Sequence, residues 1–223
     1  VHCYAPAGKA SGELSTRQGI ELIATLAGYG APVALFSGGE PTLREDLPTL
    51  IDAAVKSGMR AVISTNGTLI TRDMAMRFAD LGLSYIGVSL DGMEEVNDRF
   101  RGVGGAFAQA MNGIYNAMRE GIKVGLRFTM IRRNVDEIPE IFDLMASEGI
   151  PRICFYHLVY TGRAQELMAE DLSHDQTRRT LDLIMDRTRE MIDAGRDVEV
   201  LTVDNHADRS EERRVGKECR SRW

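Results

Sequence analysis

The hexapeptide Phe36-Ser37-Gly38-Gly39-Glu40-Pro41 decides how the rest of the chain is read. It follows Pro32-Val33-Ala34-Leu35, a short, uninterrupted and partly β-branched apolar run of the kind that forms a strand buried on both faces of a parallel sheet. Two adjacent glycines after such a strand let the backbone turn sharply and approach a ligand that a Cβ would push away. Glu40 then stands at the strand's C-terminal mouth, where α/β barrels keep their chemistry. Taken alone, the same residues also fit an ordinary strand-to-helix turn with a solvated carboxylate, so the neighbouring segments have to decide.

Those segments alternate between two periodicities. Ser15-Thr16-Arg17-Gln18 is a capping box that opens a helix to about Ala27, with Ile20, Ile23 and Leu26 on one face. After the strand at Val33 come a helix over Leu47 to Lys56, a strand over Arg60 to Ser64, and a helix capped by Thr71 and running to about Leu81. Tyr85 to Leu90 reads as a strand, Ala106 to Glu120 as a helix and Lys123 to Thr129 as a strand. A helix with Val135, Ile138, Ile141 and Met145 in phase leads to a strand over Ile153 to Val159. Ser173-His174-Asp175-Gln176 is a second capping box, opening a long helix, and Val198 to Val203 is a last strand. Such alternation with short, glycine-marked connections predicts βα units around a parallel sheet, either a barrel or an open doubly wound sheet.

Polar residues cluster where these strands finish: Ser37 and Glu40, Ser64 and Asn66, Ser89 and Asp91, Arg127, and His157 with Tyr160. In a parallel barrel all of these ends lie on one face, so residues scattered along the chain converge on one cavity. Asn66-Gly67 and Asp91-Gly92 also fit plain turn formation, and Arg127 also fits a structural ion pair.

The N-terminus adds Val1-His2-Cys3-Tyr4. With Gly38-Gly39-Glu40, Ser64-Thr65-Asn66-Gly67, Ser89-Leu90-Asp91-Gly92 and Arg127, this start resembles the radical S-adenosylmethionine (SAM) enzymes, over roughly residues 1 to 208. Their hallmark is three cysteines spaced C-x3-C-x2-C, and Cys3 matches the third, so the first two would fall before Val1. The resemblance implies a partial (βα)6 TIM-like barrel whose first strand, preceding the cysteine loop, is missing here. It also implies a [4Fe-4S] cluster with Cys3 as a metal ligand, and SAM as cofactor. Gly38, Gly39 and Glu40 would hold the SAM amino group and Arg127 the carboxylate. Ser64, Asn66, Ser89 and Asp91 would serve the ribose, and backbone near Phe155 to Leu158 would flank the adenine. Reductive cleavage of SAM to a 5'-deoxyadenosyl radical that takes hydrogen from substrate is the implied activity. An electron donor such as flavodoxin or ferredoxin is the implied partner. A chain lacking two cluster cysteines is expected to be inert as written.

The segment Cys154-Phe155-Tyr156-His157-Leu158-Val159-Tyr160-Thr161-Gly162-Arg163, with Thr202-Val203-Asp204-Asn205-His206-Ala207-Asp208, is similar to the radical SAM enzymes of d1-type haem biosynthesis. The implied substrate is a sirohaem-derived tetrapyrrole, with peptide-modifying maturases and haem-forming decarboxylases as related alternatives. Arg99, Arg101 and Arg163 would face its carboxylates. His157 would ligate its iron or sit against SAM, or be simply hydrogen-bonded structure. Cys154 reads as core, and a cluster-free phosphate-binding barrel is the reading of another class.

Composition bounds these expectations. The 223 residues are 43% hydrophobic, enough for one substantial core, and contain no apolar run of about 18 residues to suggest a membrane span. A net charge of −6 and 6% aromatic residues offer no basic surface for nucleic acid. Three distant cysteines make no disulfide framework and fit a reducing cytoplasm. Residues 209 to 223, from Arg209 to Trp223, carry no apolar periodicity and read in frame as a translated sequencing adapter, a non-native tail beyond a core domain of residues 1 to 208. Without that tail the chain has 21 basic and 30 acidic residues, a net charge of −9.

Overall fold

The computed structural model of the chain describes residues 12–160 and 162–203. Six parallel strands form one sheet in sequence order: β1 (Val33–Phe36), β2 (Arg60–Thr65), β3 (Tyr85–Ser89), β4 (Lys123–Thr129), β5 (Arg152–Tyr156) and β6 (Glu199–Val203). Helices α1 (Thr16–Gly28), α2 (Leu47–Lys56), α3 (Arg72–Asp80), α4 (Glu94–Arg101), α5 (Ala106–Arg119), α6 (Ile138–Glu148) and α7 (His174–Asp193) precede and connect them. All six expected strand segments are present, and every neighbouring pair is parallel. This order is that of an incomplete α/β barrel. The expected strand ahead of the cysteine loop lies outside the described residues.

Local chemistry sets the ends of these elements. Both capping boxes form: the Gln18 amide donates to the Ser15 hydroxyl at 3.4 Å, and the Gln176 amide to the Ser173 hydroxyl at 3.3 Å. Thr71 caps α3 by accepting from the Met74 amide. Two expectations shift at their edges. Val135 belongs to a 3₁₀ turn, because Pro139 fits only the first turn of a helix and so starts α6 at Ile138. β5 stops at Tyr156, opposite Val203, rather than at Val159.

The strands split their residues between two faces. On the outer one, Ile63, Ile86, Val88, Leu126, Phe128, Ile153 and Phe155 pack against the helices and are essentially sealed from water. Phe155 stacks on Phe142 of α6 at 5.9 Å between ring centroids and meets Phe128 edge-on at 5.6 Å. Each such buried ring contributes about 1.5–3 kcal/mol relative to exposure. α5 comes closest of all: a Cβ on Gly113 would stand 2.1 Å from the Gly67 carbonyl oxygen, so only glycine lets this helix lie on the β2–α3 loop. The other face lines the concave side of the sheet and is the polar one.

Candidate functional site

Strand register fixes what the concave face carries. Ser64 lies opposite Gly87, and Gly87 opposite Gly125. Two residues further on, Ser89 lies opposite Arg127, and Arg127 opposite Cys154. Because side chains alternate along a strand, Ser64, Gly87, Ser89, Arg127, Cys154 and Tyr156 share this face. The structure thus brings together three expected site residues, Ser64, Ser89 and Arg127. The Arg127 guanidinium lies 4.5 Å from the ring centroid of Tyr156, and among the described residues no carboxylate pairs with it.

The loop after β1 reaches the same mouth. Gly38 has φ +135°, a conformation that L side chains rarely adopt, and it and Gly39 are exposed with no side chain near them. Glu40 is held by four donors. Its Oε1 accepts from the Thr42 amide at 3.1 Å, the Thr42 hydroxyl at 2.6 Å and the Thr65 hydroxyl at 2.6 Å, while Oε2 accepts from the Asn66 amide at 2.8 Å. The carboxylate therefore clamps the β1 loop to the end of β2. With a single bond among the described residues, Oε2 keeps capacity for a further donor. Asn66 is partly spent on its own turn, its side-chain oxygen accepting from the amide and hydroxyl of Thr68.

Asp91 is buried just beyond the end of β3. Its side chain is 1% exposed, with Oδ1 accepting from the Thr129 amide at 2.7 Å and Oδ2 from the Arg101 guanidinium. The Asp91 amide donates to Asn97, and the buried Asn134 side chain donates to the carbonyls of Asp91 and Thr129. Together these bonds join the ends of β3 and β4 through α4. Arg101 is consequently committed to Asp91, and Arg99 to Glu95 at 2.5 Å. Nothing is described of the Arg163 side chain, and Cys3 and His206 lie outside the described residues.

His157 falls one residue beyond Tyr156 and so belongs to the opposite face. Its amide donates to the Val203 carbonyl at 3.1 Å, and its buried side chain lines a cavity of about 220 Å³ with Tyr160, Asp171, His174 and Thr177. The Tyr160 hydroxyl donates to Asp171, and that bond, ahead of burial, holds the phenol's pKa above its ordinary value. The Phe155 side chain is sealed into the outer core, and Cys154 is buried on the inner face at 6% exposure. Sequence reasoning missed Thr42, Thr65, Asn134 and Tyr156. Of these, Tyr156 was within reach from the strand alternation that places it with Cys154.

Residues 1–145 match the family described as the Radical SAM superfamily. The chain is 59% identical over 210 residues to the Fe-coproporphyrin III synthase of Methanosarcina barkeri, spanning 93% of this chain and 53% of that protein. It is 40% identical over 210 residues to the pre-heme d1 synthase of Dinoroseobacter shibae, spanning 93% of this chain and 52% of that one. The chain thus covers about half the length of these relatives. Among solved structures, Streptococcus suis SuiB bound to S-adenosylmethionine superposes with a TM-score of 0.79 at 16% identity, over 92% of this chain and 47% of that one. That likeness fixes the fold, and a [4Fe-4S] cluster and SAM are the cofactors characteristic of the superfamily. A cluster-free phosphate-binding barrel is set aside by the family match. The chain belongs to the radical SAM superfamily.

Proposed function

We propose that the protein is a radical SAM enzyme acting on a tetrapyrrole, and that its reaction yields an iron coproporphyrin III. The observation that carries the tetrapyrrole is the 59% identity to an Fe-coproporphyrin III synthase, against 40% to a pre-heme d1 synthase, which favours the former chemistry over the d1-type branch expected from the short segments. The concave face suits SAM on its own terms. Arg127 offers a guanidinium not neutralised by any described carboxylate, Ser64 and Ser89 bring two hydroxyls to the same face, and Glu40 keeps an acceptor at the mouth. In this reading Arg127 binds the SAM carboxylate, the serines meet the ribose, and Glu40 with the exposed Gly38-Gly39 backbone receives the ammonium. Cys3 would ligate the cluster.

When bound, the cluster and SAM supply one-electron, hydrogen-abstracting chemistry; the protein's part is orientation and exclusion of water. Arg127 and Glu40 fix the two ends of the amino-acid moiety, and the sealed Asp91 network keeps the β3 and β4 mouths from moving apart. Asp91 is assigned to this scaffold rather than to the ribose, and His157 to the neighbouring cavity. A small electron-carrier protein would deliver the electron, and the cytoplasm is the compartment proposed. Among the described residues no helix is long and apolar enough to cross a membrane.

The test is product identification. The full-length, cluster-loaded protein is reduced anaerobically with SAM and a sirohaem-derived tetrapyrrole, and the pigment is analysed by mass spectrometry. Iron coproporphyrin III is the expected product. Pre-heme d1, or an unmodified tetrapyrrole alongside full SAM cleavage, would overturn the substrate assignment.

A further inference from the structure

The concave face contains two arginine–tyrosine pairs, and they differ in charge balance. In the lower one the Arg152 guanidinium lies 5.0 Å from the Tyr85 ring centroid and also pairs with Glu199 at 3.3 Å. In the upper one Arg127 lies 4.5 Å from the Tyr156 centroid and has no carboxylate among the described residues. A guanidinium held against an aromatic ring keeps its N–H donors available to an anion, because the ring offers no carboxylate to take them up. The upper pair is therefore a cation that is fixed in place but not neutralised.

Two glycines make room for this arrangement. A Cβ on Gly87 would stand 2.9 Å from Arg127 Cδ and 3.3 Å from Tyr85 Cε1. On Gly125 it would stand 2.3 Å from the Tyr85 hydroxyl and 3.0 Å from Arg152 Cβ. Glycine inside a strand costs about 0.5–1 kcal/mol relative to alanine, so two of them at facing positions are a cost borne for the space they leave. Neither has positive φ, so the backbone itself does not demand glycine. Burial, helped by Cys154, also holds the Tyr156 phenol above its ordinary pKa. The ring stays neutral near neutral pH and leaves the charge of Arg127 uncompensated.

We propose that Tyr156 is a positioning residue that holds the Arg127 guanidinium, in the space left by Gly87, with its donor edge presented to the carboxylate of the bound cofactor. This rests on the reading of Arg127 given above. The role needs the ring and not the hydroxyl. It also concerns a single group of the ligand, so its loss weakens binding only of ligands that carry the carboxylate.

The experiment measures binding rather than turnover. Equilibrium dialysis with the full-length, cluster-loaded protein compares labelled SAM with decarboxylated SAM for the wild type, Tyr156→Phe, Tyr156→Leu and Arg127→Met. Melting curves confirm folding, and Tyr156→Met replaces the leucine variant if that one does not melt cooperatively. Tyr156→Phe should bind SAM within about twofold of wild type, and Tyr156→Leu about five- to tenfold more weakly, the range a partly desolvated cation–π contact spans. Decarboxylated SAM should bind all four proteins alike. Tyr156→Leu binding SAM like the wild type, while Arg127→Met binds it poorly, would overturn the proposal and leave the site reading intact. Arg127→Met binding SAM like the wild type would overturn both.

Discussion

Asp91 is the residue whose replacement tests the scaffold most sharply. Its carboxylate is 1% exposed, accepts the Thr129 amide at 2.7 Å, and pairs with Arg101, whose side chain is 20% exposed. Removing one member of a buried pair costs about 3–5 kcal/mol, because the other charge is left uncompensated. Arg101 can still reach some water, which places this pair at the lower end, near about 3 kcal/mol. The Thr129 amide, left without its acceptor, adds about 1 kcal/mol. Asp91→Ala should therefore lose about 3–4 kcal/mol, and Asp91→Asn, which keeps an acceptor for Thr129, about 2 kcal/mol. Urea unfolding followed by circular dichroism measures both. Arg101→Met added to Asp91→Ala should cost much less than the sum of the single losses, since the two side chains share one interaction. Asp91→Asn should bind SAM within about twofold of wild type, because both oxygens are committed to the protein. A loss below about 1 kcal/mol for Asp91→Ala, or additive single losses, would mean that the Asp91–Arg101 pair does not hold the two strand ends together. A large loss of SAM binding with unchanged melting would make Asp91 a ligand after all.

Three further outcomes are expected. Gly113→Ala should destabilise by about 2 kcal/mol despite its better helix propensity, because the new Cβ meets a backbone carbonyl that cannot move aside; chemical denaturation gives the value. Thr65→Val removes the hydroxyl that bonds Glu40 and accepts from the Gly67 amide, and should cost about 1–2 kcal/mol in denaturation and weaken SAM binding by loosening Glu40. Burial raises the pKa of both Tyr85 and Tyr156, so in the folded state each keeps its proton where the unfolded chain has lost it. Their contribution is fully present below about pH 10 and is lost as pH rises beyond it, and the ultraviolet phenolate band of these residues should grow together with unfolding.

The parallel sheet was legible because its outer face is made of short β-branched and aromatic runs whose period separates cleanly from the helices. α4 was not. Glu94–Arg101 is mostly charged and turns only Asn97 and Phe100 into buried positions, too few to show an apolar stripe. Missing that helix hid the partner of Asp91, since Arg101 sits at its end, and with it the bonds the carboxylate makes to Arg101 and the Thr129 amide. The strand ends explain the rest. Ser64, Ser89 and Arg127 share a face through register that the sequence alone does not state, and β5 ending at Tyr156 puts His157 on the other side. Glu40 was visible as a mouth residue, but nothing in the sequence says that Thr42, from the following turn, and Thr65, from the end of β2, bond its carboxylate.

In the function proposed here, this mouth binds SAM for reductive cleavage at a cluster held in part by Cys3. The most direct measurement is 5'-deoxyadenosine formed anaerobically from SAM by the reduced, full-length protein, alongside Cys3→Ala and Arg127→Met. Product is expected from the wild type, none from Cys3→Ala, and from Arg127→Met product only at raised SAM concentration. A wild type with a complete cluster and no 5'-deoxyadenosine, or a Cys3→Ala protein that forms it equally well, would rule out SAM cleavage at a Cys3-bound cluster.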